Sequence, residues 1–215
     1  MAEVKSITIS EEDKFKLEKM YFYMQDIMME MVSCHTLIHM LCDFHKGRSY
    51  SFFQEYEKIT VSVPNNINPN VFMMNVRVPF HILVINIFKL GELIKQNQAL
   101  LRKSLNDETK SKFEEFKKKY FTDDLIEYRN KYVAHHRDNK KDDFLNYNEL
   151  INFLAKILGE ADPKQIDWDS FLNYSDNFYT TDSSKKSSTI CQIIYDLHIE
   201  MQAILGRKLN RKLAN

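Results

Sequence analysis

Glycine and proline are scarce, with four of each in 215 residues. Folds built on many tight turns, such as β-sandwiches and doubly wound α/β sheets, need far more of both, so these classes are disfavoured. Gly47, Gly91, Gly159 and Gly206 are isolated from one another, which excludes a glycine-rich phosphate loop. Excess charge is also missing: 30 Lys plus Arg stand against 30 Asp plus Glu. A net charge of zero argues against broad, charge-driven binding to nucleic acid and leaves room only for a local basic patch. The three cysteines, Cys34, Cys42 and Cys191, are an odd number, and the start MAEVKSITISEEDK is too polar for a targeting segment. Together these predict reduced thiols in a cytoplasmic protein. The most apolar run, FHILVINIF from Phe80 to Phe88, is too short to cross a bilayer and carries His and Asn.

What the chain does have is helical periodicity. Hydrophobic residues make up 44% and charged residues 28%, ordinary for a soluble globular protein. Ser10-Glu11-Glu12-Asp13 reads as a helix start: the Ser10 hydroxyl can accept from the first free N–H groups, and the acids suit the positive end of the dipole. Leu17, Met20, Met24, Ile27, Met31, Cys34, Ile38 and Leu41 then recur at steps of three and four. Unbroken from Glu11 to Lys46, this helix spans about 54 Å. Tyr21, Met28 and Leu37 widen the stripe, as a bundle core requires. Residues 50–61 are aromatic and fit either a short helix or, at Ile59-Thr60-Val61, an extended segment. VPNNINPN, residues 63–70, is the clearest loop.

A second long helix is expected from near Pro79, or a few residues earlier, to about Ser104, with proline better suited to a first turn than to an interior. Gly91 within it suggests the close approach of a neighbouring helix. Asn106 or Asp107 caps a helix with Phe113, Phe116 and Tyr120 inward; Thr122 caps the next, carrying Leu125, Tyr128, Tyr132 and Val133. A short helix over Asn148–Leu158 stops at Gly159, and a last helix starts at Ser188 or Thr189. The expected fold is all-α: a single domain over residues 1–215, an up-and-down bundle with two long helices. Residues 160–188 are expected to be an irregular connection and 206–215 a basic, frayed tail.

Two constellations carry chemistry. EYRNKYVAHHRDN, residues 127–139, holds Arg129, Asn130, His135 and His136 at a helix end. On an ideal helix Arg129 and His136 share a face, and His135 points about a third of a turn away. An arginine beside an imidazole offers a fixed cation for a phosphate and a group that titrates near neutrality, which suits phosphodiester cleavage. A histidine at a helix C-terminus is equally favoured by the dipole alone. His35 and His39 stand at i and i+4, a spacing that suits a metal ion, with His45 beyond them. The nearby Cys34, Cys42 and Asp43 complete no convincing ligand set, so half-buried helix histidines without a metal are expected. The methionines from Met24 to Met31 read as core filler.

The segment Arg129-Asn130-Lys131-Tyr132-Val133-Ala134-His135 resembles the arginine-to-histidine motif of HEPN domains, in which an Arg and a polar neighbour precede a His by four to six intervening positions. The wording R-N-K-x-x-A-H, followed by Asp138 and the Tyr147–Leu158 helix, most resembles the AbiU2-like branch, associated with abortive phage infection. That resemblance implies a metal-independent endoribonuclease with Arg129 and His135 as the catalytic pair, Asn130 as polar neighbour, and His136 supporting or substituting. It further implies attack by an RNA 2′-hydroxyl on the adjacent phosphate, no cofactor, no membrane, and a homodimer whose two motifs face one cleft. An antitoxin or defence-system protein is the expected partner besides RNA. The alternative is a non-catalytic helical module that keeps the motif to bind an anion, a nucleic acid or another protein.

Overall fold

The computed structural model describes residues 9–45, 50–54, 57–61, 69–131, 137–138, 143–144, 147–207 and 209. Its spine is α1, Glu11–His45. The Ser10 hydroxyl accepts from the Asp13 N–H at 3.1 Å, closing the first turn as its sequence predicts. Leu17, Met24, Met31 and Ile38, seven residues apart, are wholly buried, and Cys42 continues the line. Leu37 departs from expectation: it lies 37% exposed, beyond the edge of the stripe.

Cross-links along α1 give the direction of its neighbours. After α1 come a hairpin, β1 (Tyr50–Gln54) with β2 (Glu57–Val61), then α2 (Pro69–Gln96) and α3 (Gln98–Ser104). Glu30 meets Lys89 at 3.3 Å and Asp13 meets Lys103 at 3.5 Å, so α2 and α3 run back along α1. The last helix, α8 (Ile190–Leu205), is also antiparallel: Cys191 lies by the Met28 carbonyl, Gln202 Nε2 donates to the Tyr21 hydroxyl, and Arg207 pairs with Glu18 at 2.7 Å. Between them come α4 (Asp107–Tyr120), α5 (Asp123–Tyr128), a two-residue pairing of β3 (Arg137–Asp138) with β4 (Asp143–Phe144), α6 (Tyr147–Leu158) and α7 (Trp168–Ser175). The fold is all-α in its core; the two small hairpins add no sheet to it. Among the described residues no helix is long and apolar enough to cross a membrane.

Local chemistry explains most boundaries. The Asn106 side chain accepts from Thr109 N–H, Thr122 from Leu125 and Thr189 from Gln192, each closing a helix start. Gly159 at φ 82° and Gly206 at φ 66° take left-handed conformations just after α6 and α8, where glycine avoids the Cβ clash. Three expectations are corrected. Pro79 lies inside α2 rather than in its first turn; Pro69 occupies that first position, where a missing N–H leaves no bond unmade. The expected continuation to Ser104 breaks at Asn97, whose Nδ2 donates to the Leu93 carbonyl at 2.8 Å while its own ψ of 18° leaves the helix. Residues 160–188 are not simply irregular. They contain α7, started by a reciprocal Asp167–Ser170 capping box, and short 3₁₀ turns at Pro163–Gln165 and Lys186–Ser188.

An aromatic cluster joins these pieces. Phe80 of α2 meets the edges of Tyr128 and Phe171 with centroids at 6.0 and 5.4 Å, and Tyr174 at 5.5 Å. Tyr128 is wholly buried, which fixes the end of α5 against α2 and α7. All three cysteines are free and buried. Burial pushes the Cys34 thiol up to about 11 and Cys191 to about 12, so neither is a thiolate near neutral pH.

Candidate functional site

The turn that carries Arg129 is set by α5. Leu125 and Tyr128 face inward, and the Tyr128 hydroxyl shares a 2.7 Å hydrogen bond with Nε2 of His81 on α2. The next residue, Arg129, therefore emerges at the surface of that junction. Its backbone N–H reaches both the Leu125 and Ile126 carbonyls, and residues 129–131 widen into a π turn.

Arg129 is half-buried. Its guanidinium carbon lies 4.4 Å from the centroid of Phe88, and its Nη1 donates to Asn130 Oδ1 at 2.8 Å. Phe88 in turn leans on Phe121 at 5.6 Å. Phe121 can lie there because position 91 is glycine: a Cβ on Gly91 would fall into the Phe121 ring. The expected close approach at Gly91 is thus made by an aromatic side chain at the end of α4, not by a helix backbone. Gly91, Phe121, Phe88 and Arg129 form one contact series that supports the guanidinium from below. A guanidinium carries several planar N–H donors of the kind that grip phosphate oxygens, and among the described residues Asn130 engages only Nη1.

Of the residues singled out from sequence, Arg129 and Asn130 are thus placed side by side. His135 and His136 lie outside the described residues. Charges along α5 are paired: Lys131 Nζ meets Glu127 at 2.8 Å beside Arg129, and Lys156 meets Asp124 at 3.2 Å near the start of the helix. Phe88, Phe121 and His81 were missed from sequence. A signal existed, since His81 and Phe88 are seven apart on α2 and so share the face that meets α5. A cleft of about 330 Å³ lies at the opposite end of α5, lined by Lys119, Thr122, Asp124, Lys156, Asn173 and Asn177 among others. Lys119 already donates to Asn177 at 3.2 Å, and burial raises the hydroxyl pKa of Tyr174 at its wall, so the cleft offers little for proton transfer near neutrality.

The second constellation gains a residue. His39 Nε2 lies 2.8 Å from Asp176 Oδ1, and His35 Nδ1 lies 3.8 Å from the same oxygen. Asp176 ends α7, in the segment expected to be irregular. A carboxylate from 137 residues beyond His39 thus joins the two histidines. Burial lowers the His35 pKa to about 4, helped by repulsion from His39 and opposed by the Asp176 carboxylate and the Ser175 backbone. Its imidazole is neutral under ordinary conditions and keeps a lone pair to give.

A family model, the HEPN-like integron domain, matches residues 13–163, well over half of the chain. With the all-α fold and the Arg129–Asn130 turn, this defines the class: the chain belongs to the HEPN-like integron domain family, within the HEPN superfamily. The AbiU2-like wording of the motif stays a resemblance. No curated protein and no solved structure matches the chain. Residues 164–215, with α7 and α8, lie beyond the matched stretch.

Proposed function

We propose that the chain is a metal-independent endoribonuclease of HEPN type, acting as a single domain over residues 1–215 in the cytoplasm. The observation that carries this reading is the Arg129 guanidinium, set over the Phe88 ring with Asn130 beside it, six residues before His135 in a chain of this family. In the proposed reaction, His135 takes the proton from an RNA 2′-hydroxyl as that oxygen attacks the adjacent phosphorus. The bond to the 5′-oxygen breaks and that oxygen takes a proton from water while His135 returns its own to solvent, leaving a 2′,3′-cyclic phosphate and a 5′-hydroxyl end. Arg129 holds the negative charge that builds on the phosphoryl oxygens. His136 supports or replaces His135. Two copies facing one cleft complete the proposed site, and Val78 and Ile82, exposed one turn apart on α2 beside His81, offer apolar surface for that contact. A role as a toxin or abortive-infection protein, with an antitoxin or defence partner, extends the same reading.

One observation favours a second reading, a non-catalytic module that binds an anion or nucleic acid. The contact series beneath Arg129 is a packing arrangement in its own right, and it would hold the guanidinium whether or not cleavage follows. The deciding experiment compares wild type, Arg129→Lys, His135→Ala and His136→Ala on single-stranded RNA in the presence of EDTA. The nuclease reading expects cyclic-phosphate ends from wild type, near-complete loss in the first two variants and a smaller loss in the third. RNA retention without cleavage selects the binding module. Equal activity in all four preparations identifies a contaminant and removes the catalytic reading.

A further inference from the structure

We propose that His35, His39 and Asp176 form a site for one divalent transition-metal ion, zinc by preference, that clamps the end of α7 onto α1. Donor atoms of the three side chains lie within 4.8 Å of one another. The two imidazole rings are 4.2 Å apart. Tetrahedral zinc, with bonds of about 2.0–2.2 Å, needs donors roughly 3.2–3.6 Å apart. The 2.8 Å His39–Asp176 separation must open and the 3.8 Å His35–Asp176 separation must close, each by about half an ångström, within the reach of side-chain torsions.

A simple hydrogen bond from His39 to Asp176 explains only part of this corner. His35 is 93% buried by its 7% exposure, yet its Nδ1 has no hydrogen-bond partner among the described residues. An unmade bond on a buried polar atom is unfavourable, and native structures leave few of them. The orphaned nitrogen faces the carboxylate oxygen that His39 already touches. A cation placed among the three satisfies all of them at once, whereas a proton satisfies one pair. Two nitrogens and one carboxylate oxygen form a set that zinc accepts, with water in the fourth position. Imidazole donors disfavour magnesium and calcium, which prefer oxygen. The half-exposed His39 and Asp176 leave an entry path for the ion. This clamp is separate from the Arg129 turn and gives the RNA reaction no metal.

The test uses the full chain, free of any histidine tag and stripped with chelator. Zinc is titrated by calorimetry and by melting temperature, with magnesium as the control, and cobalt reports geometry through its visible spectrum. One zinc per chain, a melting temperature raised by several degrees, no effect of magnesium and a tetrahedral cobalt spectrum are expected. Asp176→Asn, which keeps an acceptor for His39, and His39→Gln should each weaken binding at least tenfold. The His135→Ala/His136→Ala double variant should bind as wild type, which separates the site from the adjacent pair at the other motif. If folded wild type takes up no zinc at micromolar concentrations, or if Asp176→Asn and His39→Gln both bind it undiminished, the proposal is overturned. Should one variant fail to fold, the other and the wild-type cobalt spectrum still decide.

Discussion

The Arg129 turn and the His35–His39–Asp176 corner use similar side chains under opposite conditions. At the turn, the polar groups are at least partly exposed and their partners are close in sequence: Arg129 with Asn130, Lys131 with Glu127. At the corner, one imidazole is buried and its potential partner comes from 137 residues beyond His39. Water can satisfy what the turn leaves unpaired, so its donors stay available to an incoming phosphate. His35 Nδ1 is shielded from bulk solvent, so its partner has to come from the packed surroundings rather than from the open surface. In the readings proposed above, one region serves an exchangeable substrate and the other a permanent fastening.

The largest effect should therefore be a clean separation of activity from stability. Arg129→Lys and His135→Ala are expected to reduce cleavage by roughly 10²–10⁴-fold, and Arg129→Lys to change the melting temperature little, because a partly exposed polar group contributes little to folding. Asp176→Asn should do the reverse, lowering the zinc-dependent melting temperature while cleavage survives. Parallel assays of rate and thermal unfolding check both. A variant that loses both properties would erase the distinction.

Acid stability should follow buried imidazoles rather than the turn. His198 on α8 is 5% exposed and packs 4.2 Å from the Tyr21 ring; burial lowers its pKa to about 4, against an ordinary 6.5, with a backbone contact at Tyr21 opposing. Its folded pKa is depressed, so the unfolded chain binds the proton more readily. Stability is complete above pH 6.5 and is lost as pH falls toward 4, by about 3 kcal/mol at roughly 1.4 kcal/mol per pKa unit. Urea unfolding across this range should show the slope, and His198→Phe should reduce it, leaving the share that the buried His35 contributes.

Gly91→Ala links the two kinds of region, since its added methyl displaces Phe121 and loosens the support beneath Arg129. Overpacking of this kind costs about 1–3 kcal/mol, and a cleavage loss of up to about tenfold should accompany it. Unchanged cleavage at reduced stability would detach the contact series from function. The smallest effect belongs to Asp167→Ala, which removes the capping box of α7 and should destabilise by about 1 kcal/mol in denaturant unfolding. It should also weaken zinc binding slightly, by freeing the helix that ends in Asp176.

Much of this architecture was legible because its causes are local. The stripe of α1 repeats every three or four residues, and the caps at Asn106, Thr122 and Thr189 act within three residues of themselves. The motif residues Arg129 and Asn130 were legible for the same reason, being adjacent. α7 was missed because eight residues are too few for periodicity to stand out, although Asp167 and Ser170 carried its start signal. Pro79 misled because a proline is compatible with a first turn, and only the packing of α2 against α1 and α7 keeps it inside a helix.

The sequence by itself determined the helical class, the main helix starts and the Arg129-to-His135 spacing, since backbone hydrogen bonding and side-chain period act over a few residues. Tertiary structure alone decided that Phe121 fills the space left at Gly91, that Phe88 supports Arg129, and that Asp176 reaches His35 and His39. These contacts join residues 30 to 137 or more positions apart, whose meeting depends on how the helices stack around α1 and α2. No short-range pattern encodes that meeting, because burial and close packing are properties of the assembled core.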